Sequence, residues 1–157
     1  MTNRRRCERF ILLTCEHGGN SIPARYQHVF ASAEACKSLE SHRGWDPGSL
    51  RLARRLRQAL GVPLISSKTS RLLIELNRSL NHPQLFSKWT ASLADAERQT
   101  LIDRYYHPYR DKVISEIEAA HAKSQRVLHI SVHTFTPIWD GQQRKTDIGL
   151  LYDPGRT

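Results

Sequence analysis

Two rhythms of apolar and polar positions run along this chain. Phe10-Ile11-Leu12-Leu13-Thr14-Cys15 is a nearly continuous apolar run of strand length, the pattern of an interior strand covered on both faces. It leads into Glu16-His17-Gly18-Gly19-Asn20. The adjacent glycines allow a sharp turn, so polar side chains are released at the strand's C-terminal edge, where α/β proteins build their sites. Behind Asp46-Pro47, the residues Leu50, Ala53, Leu56 and Leu60 recur at helical spacing. Asp is a helix cap and Pro fits the first helical position, so the helix is expected to start there and to stop at Gly61. Val62 to Ser67 reads as the next strand, and the order strand, helix, strand predicts a parallel pair.

From Thr90 to Lys123 the spacing of Leu93, Leu101, Ile102, Tyr105, Val113, Ile114 and Ile117 is helical, with Pro108 expected to break or kink the run into two pieces. Val127-Leu128-His129-Ile130-Ser131-Val132 reads as a further buried strand. It delivers His133 at its end, as the first strand delivers His17. Asp147 to Tyr152 is expected to form the last strand. No repeat or linker interrupts the chain, and the pattern predicts one layered α/β domain over residues 1–157 with a mixed or mostly parallel sheet.

Composition changes this picture little. With 157 residues, 39% of them hydrophobic and 25% charged, the chain suits one globular core. No apolar run has the length of a membrane span, and Glu16-His17 interrupts the apolar stretch after Arg4, Arg5 and Arg6 too early for a secretory signal, so a cytoplasmic location is expected. Cys7, Cys15 and Cys36 are odd in number and lack CxxC pairing, as befits reduced thiols. The formal charge of +9 raises nucleic acid as a partner. Arg51, Arg54, Arg55 and Arg57 fit the wet face of an amphipathic helix, however, and no nucleic-acid motif accompanies them, so a solvated face is the favoured reading.

The candidate chemistry lies at the strand ends. A lone histidine in such a place is most often held by a local hydrogen bond, but His17 and His133 occupy matching positions and can approach one metal ion if their strands are neighbours. A catalytic zinc site commonly combines two histidines with a carboxylate and leaves a position open for water. Asp46 and Glu16 are the candidates for that carboxylate. Glu16 is disfavoured because neighbouring residues of an extended segment face opposite ways, whereas the competing role of Asp46 is a helix cap worth about 1 kcal/mol.

Between the histidines lies Ser70-Arg71-Leu72-Leu73-Ile74-Glu75-Leu76-Asn77-Arg78. Arg71, Asn77 and Arg78 suit a small acid, because guanidinium groups bind carboxylates in bidentate fashion and Asn adds a directional hydrogen bond. Fully extended, Arg71 and Asn77 would stand about 20 Å apart, too far for one small substrate. The segment is therefore expected to bend as an interrupted strand. The alternative is surface salt bridging through Glu75.

In the order His17-Gly18, Asp46, Arg71 with Leu76-Asn77-Arg78, then His133, the chain resembles the N-formylglutamate amidohydrolase family. Cys15 to Asn20, Gly44-Trp45-Asp46-Pro47-Gly48, Ser131 to Pro137 and Asp147 to Tyr152 support the likeness across nearly the whole chain. The resemblance implies a three-layer phosphorylase/hydrolase-like α/β fold shared with zinc carboxypeptidases and the aspartoacylase group. It implies zinc or another divalent metal held by His17, Asp46 and His133, with Arg71 as catalytic residue and Asn77 and Arg78 binding substrate. Arg144, in a glycine-containing loop after His133, is a further cationic candidate. The implied activity is hydrolysis of an N-acyl amino acid, most concretely N-formyl-L-glutamate, to formate and glutamate.

The chain departs from those relatives twice. Asn20 stands where the carboxypeptidase-like HxxE pattern has a metal-binding Glu, which makes Asp46 the replacement. Relatives also continue past the position of Thr157 into a segment with a glutamate resembling a general base. Here no Glu follows Glu118, and only Asp140, Asp147 and Asp153 follow His133 as carboxylates. The chain reads as C-terminally shortened. Loss of a general base commonly costs about 10²- to 10⁴-fold in rate, so a catalytically inactive carboxylate-binding module stands as the alternative, with nucleic-acid binding a more distant third.

Overall fold

The computed structural model describes residues 8–139, 141–152 and 155. Cys7 and the three arginines before it lie outside the described residues, as do Asp140 and Asp153. Three parallel strands form the sheet: β1 (Arg9–Cys15), β2 (Leu64–Ser66) and β3 (Arg126–Ser131), in the order β2-β1-β3. Thr14 is in register with Ile65 on one side and with Ser131 on the other. β1, the most apolar segment, is thus the central strand, and its backbone is paired along both edges. A short antiparallel hairpin follows, β4 (Ile138–Trp139) with β5 (Gln142–Gln143).

Among the described residues four α-helices accompany the sheet: α1 (Ala33–Glu40), α2 (Ser49–Leu60), α3 (Asp95–Leu101) and α4 (His107–Ala122). Strand alternation sorts the core into two. Leu12 and Ile65 face one way, into a cluster with Tyr26, Phe30, Leu73, Leu76, Leu101, Tyr109 and Val113. Cys15 and Leu64 face the other way, against Leu50, Ala53 and Leu56 of α2 and Ile130 and Val132. The sheet therefore lies between α2 and the layer containing α4, a three-layer α/β arrangement. The arginines of α2 are all exposed, the solvated face anticipated from their spacing. Leu60, expected on the buried face, is also exposed, at the last residue before the left-handed Gly61 cap.

Several elements differ from the sequence-based expectation. α2 begins at Ser49 behind a left-handed Gly48, so neither Asp46 nor Pro47 takes the expected starting position, and no side chain caps the helix. The long helical run begins at Asp95 rather than Thr90, and it is divided into α3 and α4 by a π-helical turn just before Pro108 rather than by a break in the chain of turns. Residues Ile102–Tyr106 widen into a π-helical turn in which the N–H of His107 reaches back to the carbonyl of Ile102. That turn relieves the clash a proline ring makes with the carbonyl four residues earlier, so the helix passes through continuously. β3 is an exposed edge strand, not a buried one, with Leu128 half exposed. Asp147 to Tyr152 forms no strand. Its backbone lies outside both sheets, and Leu150, Leu151 and Tyr152 are almost wholly exposed, because no described strand lies beside them to supply a ladder.

Candidate metal centre

β1 and β3 are adjacent and in register, so their ends lie side by side and bring the two histidines together, with ring centroids 4.9 Å apart. At the end of β1, Gly18 and Gly19 pass so close to the chain after β2 that an added Cβ would meet the Ser67 carbonyl oxygen at 2.7 Å and the Lys68 carbonyl oxygen at 2.7 Å. Neither glycine has a positive φ. Here the pair is needed for close approach rather than for an unusual turn.

Asp46 completes the group. Its backbone N–H donates to the His17 carbonyl, which ties the loop before α2 to the end of β1. Since Asp46 does not cap the helix, its carboxylate is available. His133 Nδ1 lies 2.8 Å from Asp46 Oδ2 and His17 Nδ1 lies 3.4 Å from the same oxygen. One atom from each of the three residues falls within 4.8 Å of the others.

The proton count at His17 shows what this group would hold. Its Nε2 is 2.5 Å from Glu75 Oε1, and a carboxylate only accepts, so the ring proton sits on Nε2. In the neutral ring Nδ1 is then a lone pair, buried without a hydrogen-bond partner and directed at an anionic oxygen. A histidine with a carboxylate on its outer nitrogen and an unsatisfied inner nitrogen is the arrangement of a metal ligand. These residues fit a divalent cation. Burial lowers the pKa of His17, but the Asp46 and Glu75 carboxylates beside the ring outweigh it and raise it, so a second proton on Nδ1 and a cation compete for the same position facing Asp46. Burial would likewise raise Asp46, yet His133 and His17 hold it well below the usual carboxylate range.

Glu75 is the functional residue that spacing alone did not single out. It is buried, not part of a surface ion pair. Oε1 takes His17 Nε2 and the Asn77 backbone N–H at 3.0 Å, while Oε2 takes Arg71 Nε at 2.9 Å and Nη2 at 2.7 Å. Burial pushes its acidity down, but the hydrogen bond and charge of His17, followed by the Arg71 charge, bring the pKa to about 2. Its signal was an acidic residue inside the apolar run Leu72 to Leu76, a costly place for an unpaired charge. The segment bends, but not as the interrupted strand expected: residues 71–80 form successive turns and no strand, so Arg71 and Glu75 meet one turn apart.

A family model described as N-formylglutamate amidohydrolase matches residues 10–156. The chain belongs to the N-formylglutamate amidohydrolase family. It is also similar to a crystal structure of the gene product Atu2144 from Agrobacterium tumefaciens, with 31% identity and a TM-score of 0.81 over 94% of this chain. The present chain spans 61% of that protein's length. No curated protein matches it.

Among the residues that the family resemblance singled out, the structure brings His17, Asp46 and His133 into one group and places Arg71 beside it, with Nη1 3.5 Å from Asp46 Oδ1. Asn77 reaches the same edge, its Nδ2 3.3 Å from His133 Nε2. Arg78 is exposed, and its carbonyl accepts a hydrogen bond from Tyr106. Arg144 lies over the Phe135 ring at 4.8 Å and donates its backbone N–H to Pro137. Asn20 turns away to the Leu39 carbonyl, which fits its departure from the HxxE pattern. Glu16 is not in the metal group: it is buried on the α4 side of the sheet, where Tyr109 donates to Oε1 at 2.9 Å and Ser131 to Oε2 at 2.6 Å.

Proposed function

We propose that this chain binds a divalent metal, most readily zinc, through His17, Asp46 and His133, and acts on an N-acyl amino acid such as N-formyl-L-glutamate, giving formate and glutamate. The observation that carries this reading is the buried, unpartnered Nδ1 of His17, directed at the carboxylate that His133 also faces. When bound, the ion would lower the pKa of a water molecule and polarise the amide carbonyl. Arg71 spends Nε and one Nη2 hydrogen on Glu75, so other guanidinium N–H groups remain to meet an acyl oxygen as it gains charge. Glu75 holds Arg71 and His17 in fixed relation and so sets where the acyl group must lie. Asn77 and Arg78 follow directly and would bind the α- or side-chain carboxylate, with Arg144 as a further cation. The expected location is the cytoplasm.

A second reading is a carboxylate-binding module without turnover. It is favoured by the engagement of both buried glutamates at the site: Glu75 and Glu16 each have both oxygens committed to hydrogen-bond donors, so neither is free to take a proton from water. Calorimetry with glutamate and N-formylglutamate, run beside a formate-release assay on zinc-loaded protein, separates the two. Formate release supports the hydrolase, binding without release supports the module, and absence of both signals overturns the shared substrate assignment.

A further inference from the structure

The positive charge of the chain is unevenly placed. Arg51, Arg54, Arg55 and Arg57 are all exposed on α2, and that helix holds no acidic residue. α4, on the other side of the sheet, mixes Arg110 and Lys112 with Asp111, Glu116 and Glu118. Arg51, Arg54, Arg55 and Gln58 recur at intervals of three and four and so form one outward stripe. Where the stripe ends, Arg54, Arg57, Gln58, Gly61, Val62 and Pro63 line an open groove of about 740 Å³. The sheet adds two cations on the same side. Cys15 and Ile130 face α2, and strand alternation places Arg9 and Arg126 on that face too, at the strand ends away from the metal group. Both are exposed and stand directly opposite each other in register, a pairing of like charges that destabilises a sheet and that a bound anion would relieve. Spacing alone fits a solvated helix face. The structure adds that this charge is not neutralised from within: among the described residues none of the six arginines makes an ion pair.

We propose that this arginine face binds the phosphodiester backbone of a duplex nucleic acid, without regard to base sequence. Guanidinium groups meet phosphate oxygens in bidentate fashion, and contacts of this kind position a protein on a duplex without reading it. The stripe from Arg51 to Gln58 rises about 10 Å along the helix, a length over which one strand of a duplex presents about three phosphates. A single strand fits less well, because neither α2 nor the groove offers an aromatic ring on which bases could stack. An anionic membrane also fits less well. A helix lying on a bilayer inserts its apolar side, and here Leu50, Ala53 and Leu56 are packed against the sheet. None of these arginines belongs to the metal group, and binding on this face requires no ion.

The test is fluorescence anisotropy of the full chain with short labelled DNA and RNA duplexes between about 50 and 200 mM salt. With phosphate contacts from the four α2 arginines alone up to all six, log affinity should fall against log salt with a slope of about −3.6 to −5.4, a loss of roughly 10²- to 10³-fold across that range. Arg54→Gln combined with Arg55→Gln should make the slope shallower by about 1.8, and Arg9→Gln combined with Arg126→Gln should do the same. All four side chains are exposed, so both variants should fold, and circular dichroism checks this. Lys112→Gln combined with Lys123→Gln removes the same charge from the α4 side and should leave the slope as in wild type. Binding to either duplex with these slopes supports the assignment, and the tighter of the two names its source. No binding at the lowest salt, an unchanged slope in the Arg54 and Arg55 variant, or an equal loss in the α4-side control overturns it. So does dependence on base sequence, or tighter binding to phosphatidylserine vesicles than to either duplex.

Discussion

The two histidines stand at matching strand ends but in different surroundings. The His17 side chain is 2% exposed and that of His133 is 34% exposed. The difference follows from their strands. β1 is central, covered on both faces, and its end is closed over by the Asp46 loop and the Leu72 to Leu76 turns. β3 is an edge, and His133 is held mainly by hydrogen bonds to Asp46, Ser131 and Asn77. One wall of the site is thus set by packing and buried charge, the other by a polar network open to water. A site with one rigid wall and one accessible wall can hold an ion in place and still admit a substrate.

The largest test of this contrast is removal of Glu75. Glu75→Ala leaves Arg71 and a buried histidine without their common partner, and breaking such a buried pair costs about 3–5 kcal/mol of stability. Urea unfolding measures this. Ser131→Ala on the open wall should cost no more than about 1.5 kcal/mol, the usual net value of one hydrogen bond. If the two variants unfold alike, the division into a packed and an open wall is wrong. Metal binding gives the next contrast. His17→Ala and His133→Ala should each lose stoichiometric zinc in a purified, metal-supplemented protein. An unchanged zinc content in His133→Ala would remove it as a ligand. Chelation of wild type should also lower the melting temperature, since zinc at about 100 times its Kd stabilises by about 2.7 kcal/mol.

The same division explains what the sequence could disclose. β1, the α2 face and the left-handed Gly61 cap were legible because each is decided by local pattern: a continuous apolar run, a 3.6-residue period, a glycine after the last turn. The bend between Arg71 and Asn77 was legible from length alone, given one small substrate. Glu75 was not, because its burial depends on His17, 58 positions earlier, supplying a proton to it. Asp46 presented two roles, cap and ligand, that only the position of Gly48 separates. The exposure of β3 and of Leu150 to Tyr152 could not be read either. An apolar run records a preference for cover but does not show whether a neighbouring strand is there to provide it.

Substrate contacts should show smaller effects than the metal group. Arg78 is exposed beside Asn77, so Arg78→Ala removes a charge-assisted contact worth about 1.5–3 kcal/mol, roughly 10- to 150-fold in glutamate affinity, with zinc content unchanged. Arg144→Ala should have a lesser effect, because its guanidinium already lies over Phe135. Calorimetry on the zinc-loaded protein ranks the two. A larger loss from Arg144→Ala would shift substrate recognition from the bent segment to the hairpin.

The smallest expected effect lies at the exposed edge strand, with the central strand as its reference. Leu12 of β1 is fully buried in the main core and Leu128 of β3 is half exposed, yet they lie one register position apart on paired strands, Leu128 facing Ile11. Leu12→Ala should cost about 2–5 kcal/mol, the usual result of opening a cavity in a packed core. Leu128→Thr introduces a β-branched residue suited to an edge strand and removes apolar surface already in water, so its cost should stay within about 0.5 kcal/mol. A much larger cost for Leu128→Thr would mean that something covers the β3 edge in solution. His133 would then stand behind that cover, and its wall would no longer be the open one.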